Sequence, residues 1–149
     1  RSFWPARKRA GAEAAIALAR ATGATLTGLC VVDEPDIVAG QATGIGGAAY
    51  KRERDEALLA DAKARADEWL KAFTARCHAA GVPVKRLQLR GRPGDTIVGE
   101  MQRHDLTVLG REVNFRFETE DRDKKTRDTI LRHAGKPIVV VPDKEPPAR

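Results

Sequence analysis

One alternation runs the length of this chain: a stretch with a helical hydrophobic period, then a short run of apolar, often β-branched residues. From Pro5 to Thr22, Ala10, Ala14, Ala17, Leu18 and Ala21 share one stripe, Pro5 suits a first turn and Gly23 is a stop, so a helix is expected. Thr25 to Val32 starts as an alternation and ends continuously apolar, and it reads as a buried parallel strand closed by Asp33-Glu-Pro35. Asp36 to Tyr50 reads as a Gly/Ala-rich loop. Leu58, Ala62, Ala66, Trp69, Leu70, Phe73 and Cys77 then mark the face of a long helix ending at Gly81. Val82 to Leu89 is a strand with basic residues interleaved, as expected near a sheet edge. A short helix follows over Asp95 to Arg103, capped by Asp95 or Thr96 and burying Ile97, Val98 and Met101. Leu106 to Leu109 is a third strand, Gly110 to Lys125 a charged loop, and Thr126 to His133 a helix carrying Ile130 and Leu131 inward. Pro137 to Val141 is the last strand, and Pro142 to Arg149 is expected to fray.

Helices alternating with such strands imply parallel strands joined by right-handed crossovers. The fold class is therefore α/β, a doubly wound open parallel sheet with helices on both faces. At 149 residues the chain is expected to be a single domain with a sizeable core, without internal repeats. Its longest apolar pieces, such as Ile138 to Val141, fall far short of the roughly 20 residues that span a bilayer. No leader pattern argues for secretion, and Cys30 and Cys77 lack disulfide or zinc spacing, so free thiols in a reducing cytoplasm are expected. Lys plus Arg exceed Asp plus Glu by 27 to 21, a net charge of +6. The excess is diffuse, aromatics make up only 5%, and no stacking signature accompanies it, so nucleic acid is not the expected partner.

In a doubly wound sheet, ligands sit at the carboxyl ends of the strands, here the loops after Val32, Leu89, Leu109 and Val141. Asp105-Leu-Thr-Val-Leu-Gly110 delivers a glycine at such an end, where backbone N–H groups can approach a phosphate. Gly44-Ile-Gly46-Gly-Ala-Ala49 fits the dinucleotide fingerprint in letters only, because about 11 residues separate it from Val32 and the tight strand-to-helix turn is missing. His78, His104 and His133 fall near helix ends, where a cation suits the dipole. Ser2 is the lone serine and no hydrolase motif occurs, so no catalytic residue is assigned and an enzyme is not the expected reading.

Four stretches, in order, carry a family resemblance: Ala19 to Glu34, Gly91-Arg-Pro-Gly-Asp-Thr-Ile97, Asp105 to Gly110, and Ile130-Leu-Arg-His-Ala-Gly-Lys-Pro-Ile-Val-Val-Val-Pro142. Together they cover most of the chain, which resembles the universal stress protein family. The resemblance implies a five-stranded parallel sheet of order 3-2-1-4-5 and a homodimer through the last strand, here Ile138, Val139, Val140 and Val141. Four strands are legible. The family's first and central strand, ending in an Asp used for adenine, is expected just before Arg1, either outside the sequence given or supplied by a partner.

Nucleotide-binding members of the family carry Gly-x-x-Gly, nine residues, then Gly-Ser or Gly-Thr, around the ribose and phosphates. Gly110 matches the first position, but Val113 stands at the second. The final pair falls on Asp123 and Lys124, or on Lys124 and Lys125 when counted back from Pro137. A β-branched residue disfavours the positive φ and close approach that glycine permits, so the usual cradle is expected to be broken. Val31 still matches the position whose backbone meets adenine, Leu109 precedes the glycine, and Lys124, Lys125 and Arg127 could neutralise phosphate as point charges. ATP is therefore retained as a candidate ligand, with no cofactor firmly expected. Phe115 and Phe117, on this same loop, either fold back over the crevice or anchor a protein partner. The resemblance points to a dimeric regulatory or protective binding module of the stress response. An ATP-binding switch is the alternative.

Overall fold

Gly23 and Gly81 each take φ of 70°, a left-handed conformation that L side chains resist, and each turns the chain from a helix into a strand. A computed structural model describes residues 6–39, 46–110 and 120–142. The elements are α1 (Ala6–Thr22), β1 (Leu26–Val32), α2 (Glu34–Ala39), α3 (Ala48–Ala79), β2 (Val84–Arg90), α4 (Pro93–Met101), β3 (Thr107–Gly110), α5 (Glu120–His133) and β4 (Ile138–Val141). All the expected helices and strands are present, in the expected order.

Several boundaries and faces differ. Part of the expected loop is helical: α2 forms directly after β1, and α3 begins at Ala48 and runs 32 residues, about 48 Å at 1.5 Å per residue. Pro93, rather than Asp95 or Thr96, opens α4. Arg92 takes the extended cap position without a side-chain bond, because proline is preorganised for a first turn. Helix α5 starts six residues before Thr126, at Glu120. On α1 the buried stripe is Ala12, Ile16 and Ala19, whereas Ala17, Leu18 and Ala21 face solvent. With alanine on every side of this helix, the one large β-branched residue decides which face turns inward. Leu58 and Leu131, both expected inward, are about half exposed.

The strands form two parallel pairs, β1 with β2 and β3 with β4. These are the two outer pairs of the 3-2-1-4-5 order, and among the described residues no strand joins β1 to β3. Register places Leu26 opposite Val84 and Val32 opposite Arg90 in one pair, and Thr107 opposite Ile138 in the other. The parallel hydrogen-bond pattern then fixes which backbone groups are used. Leu26 N–H donates to the Pro83 carbonyl and Thr107 N–H to the Pro137 carbonyl, so even residues of β1 and odd residues of β2, β3 and β4 bond within the pairs.

Helices lie on both faces. On one, α1 and α3 close over β1 with Ala12, Ile16, Ala19, Phe73, Cys77 and Val82. Gly28 makes that approach feasible, because a β-carbon there would lie 2.7 Å from Phe73 Cδ1. On the other face, α4 and α5 bury Val31, Ile97, Met101, Leu109 and Ile130. No helix among the described residues is long and apolar enough to cross a membrane.

Candidate functional site

The carboxyl ends of β1 and β3 bring part of the expected site together. Val31 and Leu109 are buried, at 6% and 8% exposure, and share one cluster with Ile97, Met101 and Ile130. Their side chains are therefore core. What they leave for a ligand is backbone: by the parity above, the N–H and C=O of Val31 point away from β2, and those of Gly110 point away from β4, both toward the line between the two pairs. Helix α1 reaches the same place. A β-carbon on Gly11 would lie 3.5 Å from the Gly110 nitrogen, so the α1 backbone runs directly against the end of β3.

The turn into α4 is built by two glycines of the stretch starting at Gly91. Gly91 has φ of 139°, and a β-carbon there would meet Thr96 Oγ1 at 2.8 Å. Gly94 is buried under α5, where a β-carbon would stand 3.1 Å from the Thr129 methyl. Their immediate role is to let α4 pack closely on β2 and α5.

Lys124 and Lys125 do not stand at a helix start. Only the first four N–H groups of an α-helix lack an internal partner, and α5 opens with Glu120, Asp121, Arg122 and Asp123. The amides of both lysines are thus consumed inside the helix. Val113, Phe115, Phe117, Gly44 and the tail beyond Pro142 lie outside the described residues.

A cleft that the sequence did not reveal lies elsewhere, on α5 and β4. It has a volume of about 340 Å³ and is lined by Arg127, Asp128, Leu131, Val140 and Pro142, with Leu131 and Val140 among the exposed apolar residues. The exposed face of a half-buried helix carries no periodic signal of its own, and Leu131, expected inward beside Ile130, lines the cleft instead. Val31, Leu109 and Gly110 are not part of it.

The titratable groups supply little chemistry. His104 Nε2 lies 3.1 Å from Glu100 Oε1, one turn back along α4, and His78 and His133 stand in the last turns of their helices as expected. Neither Cys30 nor Cys77 forms a disulfide among the described residues. Cys77 is wholly buried, which pushes its thiol pKa up, and Cys30 is half-buried. Among the described residues no group of three His, Cys, Asp or Glu could hold a metal ion.

Comparison with known proteins settles the lineage. The family model described as the universal stress protein family matches residues 5–142. The chain belongs to the universal stress protein family. Among solved structures it is similar to universal stress protein UspA from Lactobacillus plantarum, with 22% identity and a TM-score of 0.58, covering 91% of this chain and 89% of that one. It is also similar to hypothetical protein MJ0577, the subject of a structural-genomics test of structure-based assignment of biochemical function. There the identity is 18%, the TM-score 0.63 and the coverage 92% and 91%. No curated protein matches the chain. At these identities the structural likeness shows a common α/β fold, and the functional details rest on this chain's own residues.

Proposed function

We propose that this universal stress protein acts as a dimeric regulatory or protective binding module of the cytoplasmic stress response, with a nucleotide motif that departs from the ATP-binding pattern. Family membership supports the stress-response role. The observation that carries the finer reading is the start of α5. The chain is already helical from Glu120, so the amides of Lys124 and Lys125 lie inside the helix, and neither residue supplies the glycine and the hydroxyl that other members carry there. Val113 in place of glycine acts in the same direction.

Dimerisation through β4 is supported by its exposed surface. Val139 and Val140 are 40% and 42% exposed, and by strand parity the N–H and C=O of Ile138 and Val140 point outward from the pair. An apolar strand whose outer ladder edge pairs with no other strand among the described residues favours pairing with a second copy. Phe115 and Phe117 remain the candidate anchor for a protein partner.

Native mass spectrometry on the purified protein, alone and with Mg-ATP, tests the reading. A dimer that takes up no nucleotide is the expected result. Stoichiometric uptake would replace it with the ATP-binding switch, in which the outward backbone of Val31 and Gly110 and the side chains of Lys124 and Lys125 hold the ligand. A monomer at micromolar concentration would remove the β4 interface.

A further inference from the structure

The outer edge of β2 combines two features that serve the same kind of partner. The first is backbone. Pro83 and Gly91 bracket the strand and both bond to β1, so by alternation the odd residues between them face β1, and the N–H and C=O groups of Val84, Arg86, Gln88 and Arg90 point outward. Among the described residues no element pairs with that edge.

The second feature is charge. Lys85, Arg86, Arg90 and Arg92 are all exposed, no acidic residue occurs from Val82 to Gly94, and none of the four cations has a carboxylate within salt-bridge distance among the described residues. The strand beneath them is held in place. Gln88 Nε2 donates to the Lys63 carbonyl of α3 at 3.0 Å, and residues from Leu26 to Val32 pair along its other side.

We propose that the outer edge of β2 receives an acidic, extended polypeptide segment as an added strand. A neighbouring strand places its residues directly opposite Arg86 and Arg90, four positions apart on one face, and opposite Lys85 on the other, so carboxylates in those positions pair with the three cations of the strand. The same charges repel a second β2, which closes the edge to self-association and leaves it open to a segment of opposite sign. An RNA strand would satisfy the charge, but it would leave the ladder of N–H and C=O groups without partners and find no exposed aromatic on β2 to stack against.

The test uses the full chain and a labelled octapeptide of alternating Glu and Val, followed by fluorescence anisotropy. Saturable binding that weakens with added salt is expected, and the Gln-Val peptide should bind about tenfold more weakly. Arg86→Glu with Arg90→Glu should abolish it. Gln88→Pro removes one outward N–H without touching a β1 bond and should also lose binding, whereas Gln88→Ala, which gives up only the bond to Lys63, should keep it. Hydrogen exchange covers the case of a misfolded proline variant: peptide should slow exchange at the amides of Arg86, Gln88 and Arg90, while Lys85 and Leu87 are protected throughout. Failure to bind, equal binding by a folded Gln88→Pro protein, unchanged exchange at those three amides, or tighter binding of an octauridine RNA would each overturn the proposal.

Discussion

At the scale of the residue, Gly28 and Cys77 show how little slack the α3 face has. A β-carbon at Gly28 would overlap the Phe73 ring at 2.7 and 3.0 Å, and Phe73 is itself stacked on Trp69 with centroids 5.4 Å apart. The ring has no free direction in which to yield. Gly28→Val should therefore cost about 1–3 kcal/mol, read as a lower urea midpoint at unchanged slope. Cys77 makes a second prediction. Burial raises its thiol pKa, so the native state holds the proton at a pH where the unfolded chain releases it. The unfolded state then binds fewer protons, and stability falls as pH rises past the ordinary thiol value of about 8.5. A Cys77→Ala protein should lose less stability than the parent between about pH 8 and pH 10, and an identical pH slope in both would contradict the assignment. Iodoacetamide should modify native Cys30 well before Cys77.

At the scale of the element, α3 is two helices in energetic terms. Its buried residues are Leu70, Phe73 and Cys77, all in the final third, while Tyr50 and Leu58 are exposed and the pair of Arg65 with Asp61 at 3.0 Å, near the middle, lies on the surface. Exposed i,i+4 pairs contribute only about 0.3–0.5 kcal/mol each. Amides from about Ala49 to Ala60 should therefore exchange orders of magnitude faster than those from Leu70 to Cys77, and uniform protection along α3 would show a support not visible here. The same unevenness explains what was legible in the sequence. Element type and order followed from apolar period wherever burial was strong, as at Leu70, Phe73, Cys77 and the run ending in Val32. Boundaries failed where the chain is polar or alanine-rich: α5 extends back through Glu120 to Lys125 with no apolar periodicity to announce it, and α1 turned its Ile16 face inward against the alanine count. The site was readable as positions and not as surfaces. Gly110 and Val31 do lie at strand ends, yet the side chains there, Val31 and Leu109, are core, and the cleft at Leu131 and Val140 depends on α5 and β4 contributing residues to one place, which no local pattern encodes.

At the scale of the whole molecule, two apolar clusters on opposite faces have to behave as one. Strand β1 is the shared member: Leu26 packs with the α1–α3 cluster, and Leu29 and Val31 with the α4–α5 cluster, through side chains that alternate across a single backbone. Helix α1 ties the faces a second time, since it contributes Ala12, Ile16 and Ala19 to one cluster and lies against Gly110 at the end of β3. Loss of packing on one face should therefore be felt on the other. Ile130 is the decisive place to ask, because it is wholly buried and belongs to the α4–α5 cluster and not to the other one. Ile130→Ala should cost about 2–5 kcal/mol by removing contacts that α5 cannot relax to replace. Trp69 sits in the opposite cluster, so in a Trp4→Phe background its fluorescence reports the α1–α3 face alone. Thermal unfolding of the Ile130→Ala protein should shift Trp69 fluorescence and far-ultraviolet circular dichroism together, in one transition displaced downward by the same amount. If the fluorescence transition stayed at the parent temperature while the dichroism split in two, the strand pairs would be separate folding units, and β1 would join them in space without coupling them in energy.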